Sequence, residues 1–146
     1  VYISTDYVFD GTKGNYTEDD VPNPVNYYAL TKLLGEIAVR QHANTLILRT
    51  SFKPDGKWPY DKAFNDLWTT AEYVSKQAPE LLRAACIPDL YGIVHVAGSK
   101  KTILDLAREQ TPTVGEMSIR DVATTLPRDV SLDSSKWHTI KASHGY

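Results

Sequence analysis

The order of patterns over residues 1–50 constrains the fold of this 146-residue chain more than any other feature. Val1-Tyr2-Ile3-Ser4-Thr5 is a β-branched and aromatic run, which is how the middle of a buried strand looks. From about Asn26 to His42, Leu30, Leu33, Leu34, Ile37 and Ala38 recur at three- and four-residue steps, so they share one helical face. Thr45 to Thr50, with Leu46, Ile47 and Leu48 in succession, reads as a short strand buried on both faces, the type found in parallel sheets. Strand, helix, strand in that order is a crossover unit, and an α/β fold with a parallel sheet is predicted. No turn and no methionine precede the first strand, so the chain is expected to start inside a domain.

Between the first strand and the helix, Asp10-Gly11-Thr12-Lys13-Gly14-Asn15 and the stretch through Asp19, Asp20, Pro22 and Pro24 form one long surface loop. Beyond Ser51 a Pro-, Gly- and Lys-rich segment leads into Asp61 to Ala85, largely helical in composition, with Ala71, Val74, Ala78, Leu81, Leu82 and Ala85 as its apolar stripe. Pro79 is expected to kink or divide that helix. Leu90 to Val96 reads as another strand, and Ile103, Leu104, Leu106 and Ala107 mark a short amphipathic helix capped by Ser99 or Thr102. After Thr111 the pattern is weak. A chain of this length supports one hydrophobic core, so any division into domains must share layers.

Charge and composition narrow the function. With 16 Lys and Arg against 18 Asp and Glu, the net charge is -2. No basic stripe of the kind that displaces counterions from phosphates is present, and nucleic acid is not an expected partner. Lys100 and Lys101 read as solvated surface. Cys86, the single cysteine, lies in an apolar stretch and reads as a buried small hydrophobe of a reducing compartment. His42, His95, His138 and His144 are too dispersed for zinc-ligand spacing, and no metal is expected. Apolar runs fall short of the roughly 20 residues that cross a bilayer, and a cytoplasmic location is expected.

Tyr28 and Lys32 stand four residues apart, one turn along the helix, on a face expected to lie opposite the leucine stripe. An ammonium beside a phenol favours the phenolate and brings it toward the range useful for proton transfer. A tyrosine and a lysine at this spacing are also ordinary helix-surface residues. Context makes the pair specific: Thr5 lies at the C-terminal end of a predicted parallel strand, the edge at which open α/β sheets bind ligands.

Three blocks in this order, Ser4-Thr5-Asp6-Tyr7-Val8-Phe9-Asp10-Gly11, Pro24-Val25-Asn26-Tyr27-Tyr28-Ala29-Leu30-Thr31-Lys32-Leu33-Leu34-Gly35-Glu36 and Leu48-Arg49-Thr50-Ser51, resemble the extended short-chain dehydrogenase/reductases. Within them the chain is most similar to the dTDP-4-dehydrorhamnose reductase branch. The likeness covers residues 1 to about 52 and extends faintly to Gly92–Gly98 and to the Pro127–Lys136 stretch, which look like the end of the family's substrate region. It implies an α/β fold: the C-terminal part of a doubly wound Rossmann-type parallel sheet, with residues 1–52 its catalytic part and 53–146 the remainder of the sheet plus a small α/β substrate-binding lobe.

The resemblance also implies a reaction, in which NADPH or NADH gives hydride to the keto carbon of a nucleotide-linked 4-keto-6-deoxy sugar and Tyr28 protonates its oxygen. Thr5 matches the residue that bonds that oxygen, and Lys32 the lysine that holds the nicotinamide ribose. Arg49, Thr50 and Ser51 fall where the family lines its nicotinamide cleft, although Arg49 could simply pair with an acidic neighbour. Asp6, Lys53, Trp58 and Arg128 are further substrate-contact candidates. Trp58, with Lys53 and Lys57, could meet a base and diphosphate or only cap a surface loop. Asp129 stands where the family has proline after its arginine, a departure at Arg128. A homodimer is implied as well.

Two features bear on the other readings. The glycines, at 11, 14, 35, 56, 92, 98, 115 and 145, make no fingerprint for cradling a pyrophosphate, so the cofactor-binding half of the family is absent from this sequence. A non-catalytic regulatory subunit of the same fold and a sugar-nucleotide epimerase are the alternatives. A dehydratase would be expected to carry an acidic pair after the threonine, whereas only Asp6 is acidic here, followed by Tyr7.

Overall fold

The computed structural model describes residues 1–146. Strands β1 (Tyr2–Thr5), β2 (Leu46–Thr50) and β7 (Gly92–His95) form a parallel sheet in the order β1-β2-β7, in register Ile3 to Leu48 and Leu48 to Val94. Helix α1 (Tyr27–Val39) is the crossover between the first two, started by Asn26, whose side chain accepts the Ala29 N–H. Every residue of β2 is buried, as its unbroken apolar pattern requires of the central strand. β1 is at the sheet's edge, and Val1 and Ile3 are exposed there rather than buried.

Helices α2 (Val74–Ala85) and α4 (Ser135–Ser143) cover one face of the sheet. Leu46, Leu48 and Val94 meet Ala84, Ile87 and Trp137 there in the largest apolar cluster. Glu80 links the two helices by accepting from Trp137 Nε1 and Lys141 Nζ, both at 2.9 Å. The expected helix over 61–85 is helical only from Val74. Residues 62–73 instead supply β4 (Lys62–Phe64), β5 (Trp68–Thr69) and β6 (Glu72–Tyr73), because their partners lie far along the chain where no local pattern shows them. β3 (Phe52–Lys53) pairs with β6, β4 with β9 (Gly115–Met117), and β5 with β8 (Lys101–Thr102). Pro79 sits inside α2 without dividing it. α3 (Ile103–Gln110) starts at Thr102, not Ser99, with a complete capping box to Asp105.

Three further expectations are corrected. Leu30, Leu34 and Ile37 of α1 are exposed, and the helix lays Ala29, Leu33 and Glu36 on the sheet, so Tyr28 and Lys32 are not opposite a buried leucine stripe. The reason is a buried ion pair at Glu36 that fixes the helix's rotation. Cys86 is exposed, because it follows the last turn of α2 on the solvent side. Lys101 is half-buried between Glu72 and Glu109, each at 2.8 Å, while Lys100 pairs with Asp129. Gly92–His95 lies in the main sheet, within the strand expected over Leu90 to Val96.

The long 10–25 loop is fastened to the C-terminal segment. Tyr16 bridges Leu132, its ring stacks on Phe9 at 4.2 Å, and Asp10 accepts from Thr12, Tyr16 and Asn23, holding its carboxyl below the usual range. Gly11 has φ +80°, and a Cβ there would lie 2.5 Å from Pro127 Cβ and 2.8 Å from its backbone. Gly11→Ala is therefore expected to destabilise the chain by about 1–3 kcal/mol through strain and displacement of Pro127, read as a lower urea midpoint. An unchanged midpoint would show that the loop does not depend on this contact.

Candidate active site

The carboxyl ends of β1 and β2 open into a cleft of about 400 Å³ lined by Ile3, Ser4, Thr5, Tyr7, Tyr28, Lys32, Thr50, Ser51, Phe52 and Lys53. Five candidate residues separated by up to 46 positions, Thr5, Tyr28, Lys32, Thr50 and Ser51, are thus brought together by one pair of adjacent parallel strands and the helix between them. Tyr28 is 54% exposed, and its ring meets Tyr7 edge-on at 6.5 Å. Lys32 Nζ donates to Ile3 O at 2.6 Å and lies 4.5 Å from the centre of the Tyr2 ring. One of its three protons is thereby committed and two remain for a ligand. The Thr5 hydroxyl donates to Asp6 Oδ1 at 3.1 Å and accepts the Tyr7 N–H at 3.2 Å.

A second and larger cavity, about 870 Å³, adjoins the first, and the two share Tyr7 and Lys53. Trp58, Tyr60, Phe64 and Tyr73 give it an aromatic lining, with Lys53, Lys57 and Lys62 as its cations. The wall formed by residues 54–61 is tied at its base. Asp55 accepts from the Ser75 N–H and hydroxyl at 2.9 and 2.6 Å, and Trp58 N donates to Thr111 Oγ1 at 2.8 Å. The Trp58 indole N–H is buried without a partner.

Three candidates are placed away from these cavities. Arg49 is 2% exposed and forks onto Glu36, Nε to Oε1 at 2.9 Å and Nη2 to Oε2 at 2.8 Å. Its side chain points beneath the sheet end, so it meets an acidic neighbour and not the cleft. Asp6, 1% exposed, lies behind Thr5 and lines neither cavity. Burial raises its carboxyl to about 6, against the opposing pull of Thr5, Ser51 and the Lys53 ammonium. Arg128 is exposed and lines neither cavity, although Leu126 of the same segment reaches the larger one.

Several residues around the site are not among the sequence candidates, although Tyr7 and Glu36 lie in the blocks that carry the family resemblance. Tyr7 joins the cavities, yet in the sequence it is one aromatic in a short turn. Glu36 also accepts the Ser4 hydroxyl at 2.5 Å, so one carboxylate ties α1 to the residues preceding Thr5 and Thr50. His95 is fully buried, with Nδ1 at 3.1 Å from Tyr16 O and Nε2 at 3.4 Å from Arg49 Nη1. Burial, with Arg49 beside it, lowers its titration to about 4 despite Glu18. No group of three His, Cys, Asp or Glu side chains is placed to hold a metal, and no helix is long and apolar enough to cross a membrane.

A family profile described as the RmlD substrate binding domain matches residues 1–70. Among curated proteins, methionine adenosyltransferase 2 subunit beta of Bos taurus is 60% identical over 42 residues, which is 29% of this chain and 13% of that protein. The probable low-salt glycan biosynthesis reductase Agl14 of Haloferax volcanii is 54% identical over 54 residues, 36% of this chain and 18% of that one. Among solved structures, a hypothetical dTDP-4-dehydrorhamnose reductase from Sulfolobus tokodaii is 35% identical with a TM-score of 0.77, covering 94% of this chain and 56% of its own. The dTDP-4-dehydrorhamnose reductase of Bacillus anthracis in complex with NADP is 22% identical with a TM-score of 0.79, covering 99% of this chain and 59% of its own, a likeness of fold. This chain thus spans little more than half the length of those structures. Its fold is Rossmann-type α/β.

Proposed function

Starting from a chain that is dTDP-4-dehydrorhamnose reductase-like within the extended short-chain dehydrogenase/reductases, we propose that it carries the catalytic and substrate-binding part of a sugar-nucleotide reductase. The finer reading is reduction of a nucleotide-linked 4-keto-6-deoxy sugar at the expense of NADPH or NADH. The observation that carries it is the meeting of Thr5, Tyr28 and Lys32 in one cleft that shares Tyr7 and Lys53 with an adjoining aromatic cavity lined by three lysines.

The residues present fit the nicotinamide end of the cofactor. Lys32 keeps two N–H donors for ribose hydroxyls and Ser51 adds a hydroxyl at the strand end, while the buried Thr50 hydroxyl accepts from Gln77 Nε2 at 2.9 Å. No glycine-rich turn in this chain fits the pyrophosphate. A reduced nicotinamide bound there supplies the hydride. Tyr28 gives its phenolic proton to the sugar oxygen, Thr5 holds that oxygen in line, and Lys32 places its positive charge on the same side of the cleft, where it stabilises negative charge left on Tyr28. Lys53, at the neck between the cavities, faces the anionic linker, and the aromatic walls stack a base beyond it.

Support for this reading is tested by titrating the chain with NADPH and NADH, followed by nicotinamide fluorescence, and by assaying NADPH oxidation with a dTDP-4-keto-6-deoxy sugar in the longest natural chain that carries residues 1–146. Turnover is expected, and Lys32→Ala is expected to weaken cofactor binding by about tenfold or more, the loss of a charge-assisted hydrogen bond. Cofactor binding without turnover of any nucleotide-linked keto sugar would replace the enzyme with a binding subunit of the same fold. Binding unaffected by Lys32→Ala would remove that residue from the cofactor site.

A further inference from the structure

One carboxylate stands against the cleft wall without a part in the proposed reaction. Asp6 directly follows Thr5, is buried, and accepts the Thr5 hydroxyl proton at 3.1 Å, while Thr5 Oγ1 accepts the Tyr7 N–H at 3.2 Å. A threonine hydroxyl has one proton and two lone pairs. When Asp6 is ionised, that single proton is committed to the carboxylate, and Thr5 has nothing left to donate to a ligand. When Asp6 is neutral, its own O–H donates to Thr5 Oγ1. The threonine proton is then free to turn into the cleft, toward Tyr28. The backbone N–H of Tyr7 holds the oxygen in place in both states, so the exchange needs rotation of one O–H bond and no movement of the chain.

We propose that Asp6 is a positioning residue whose protonation decides whether Thr5 donates its hydrogen bond to Asp6 or to the carbonyl oxygen of the substrate. The proposal rests on the reductase reading and deepens it by naming what orients Thr5. The groups facing Asp6 are distributed over three elements. The Ser51 hydroxyl after β2 and the Lys53 ammonium on β3 favour the carboxylate. Next to it, the Tyr7 phenol is itself held above its ordinary value by burial, by Asp6 and by Tyr28 of α1. Burial outweighs the favourable partners and brings the Asp6 carboxyl to about 6, so both forms are populated near neutrality. Reduction puts negative charge on the substrate oxygen, and a donor aimed at that oxygen is worth most in the transition state.

Two readouts test this. In the chain labelled with carboxyl-¹³C aspartate, the signal missing from Asp6→Asn identifies Asp6. Thr5→Val, which removes a donor to the ionised form, is expected to move the Asp6 midpoint upward, and Thr5→Ser to restore it. A midpoint indifferent to Thr5→Val overturns the hydrogen-bond exchange. In the reductase assay, kcat/KM is expected to fall by up to about tenfold per pH unit above the Asp6 midpoint, and Asp6→Asn, which offers an amide N–H to Thr5 at every pH, to abolish that limb. A limb that persists in Asp6→Asn overturns the proposal, as does loss of turnover at every pH, which would give Asp6 a structural or directly catalytic role. If wild type turns over no keto sugar while the Asp6 midpoint follows Thr5 as expected, the reductase reading fails and the exchange stands.

Discussion

Glu36→Gln is expected to destabilise the chain by about 3–5 kcal/mol, which makes it one of the most damaging single-atom-scale changes available. Both partners of the Glu36–Arg49 pair are 2% exposed, so the guanidinium left behind can neither reach water nor find a second carboxylate. Gln retains the shape and one acceptor oxygen, and the loss therefore reports charge and not packing. The pair also fixes which side of α1 meets the sheet, since Glu36 bonds Ser4 of β1 and Arg49 of β2 together. A shift in the urea midpoint at unchanged slope is the measurement. The double variant Glu36→Met with Arg49→Leu is expected to recover most or all of the loss, because a desolvated ion pair gains little over apolar residues of similar volume. A single variant within about 1 kcal/mol of wild type would mean that water reaches Arg49.

Tyr28→Phe is expected to lower kcat for keto-sugar reduction by about 10²–10⁴-fold, the usual worth of a general acid, with little change in stability or in cofactor affinity. Tyr28 is 54% exposed, and its ring contact with Tyr7 survives the change, so the variant removes one hydroxyl from the cleft and nothing from the core. Equal falls in kcat and kcat/KM identify an interaction made in the transition state. Unchanged turnover would move the proton donor elsewhere. The natural competitor is then water at the open side of the cleft.

Helix α1 separates what local spacing dictates from what tertiary contacts decide. Its existence, its start at Asn26 and the placing of Tyr28 one turn before Lys32 follow from local spacing and capping. Which face it buries does not. Periodicity assigns Leu30, Leu34 and Ile37 to the core, whereas the structure buries Glu36, because a carboxylate bonded to Arg49 and Ser4 outweighs the leucine pattern among the elements present. Arg49 shows the same limit. Its place at a strand end suggested the cleft, and only the alternation of side chains along β2, together with Glu36 beneath, turned it inward.

Strand β2, helix α1 and a short helix beginning at Ser99 or Thr102 follow from the sequence alone, since each depends on neighbours within a few residues, and motifs with fixed spacing single out Thr5, Tyr28 and Lys32 as the candidate set. The tertiary structure decided the rest. It paired 62–73 with strands up to 53 residues away, buried Asp6 behind Thr5, exposed Cys86, and joined two cavities at Tyr7 and Lys53. Those outcomes depend on contacts between residues distant in the chain, where burial and partner charge, not local propensity, set the free energy of each side chain.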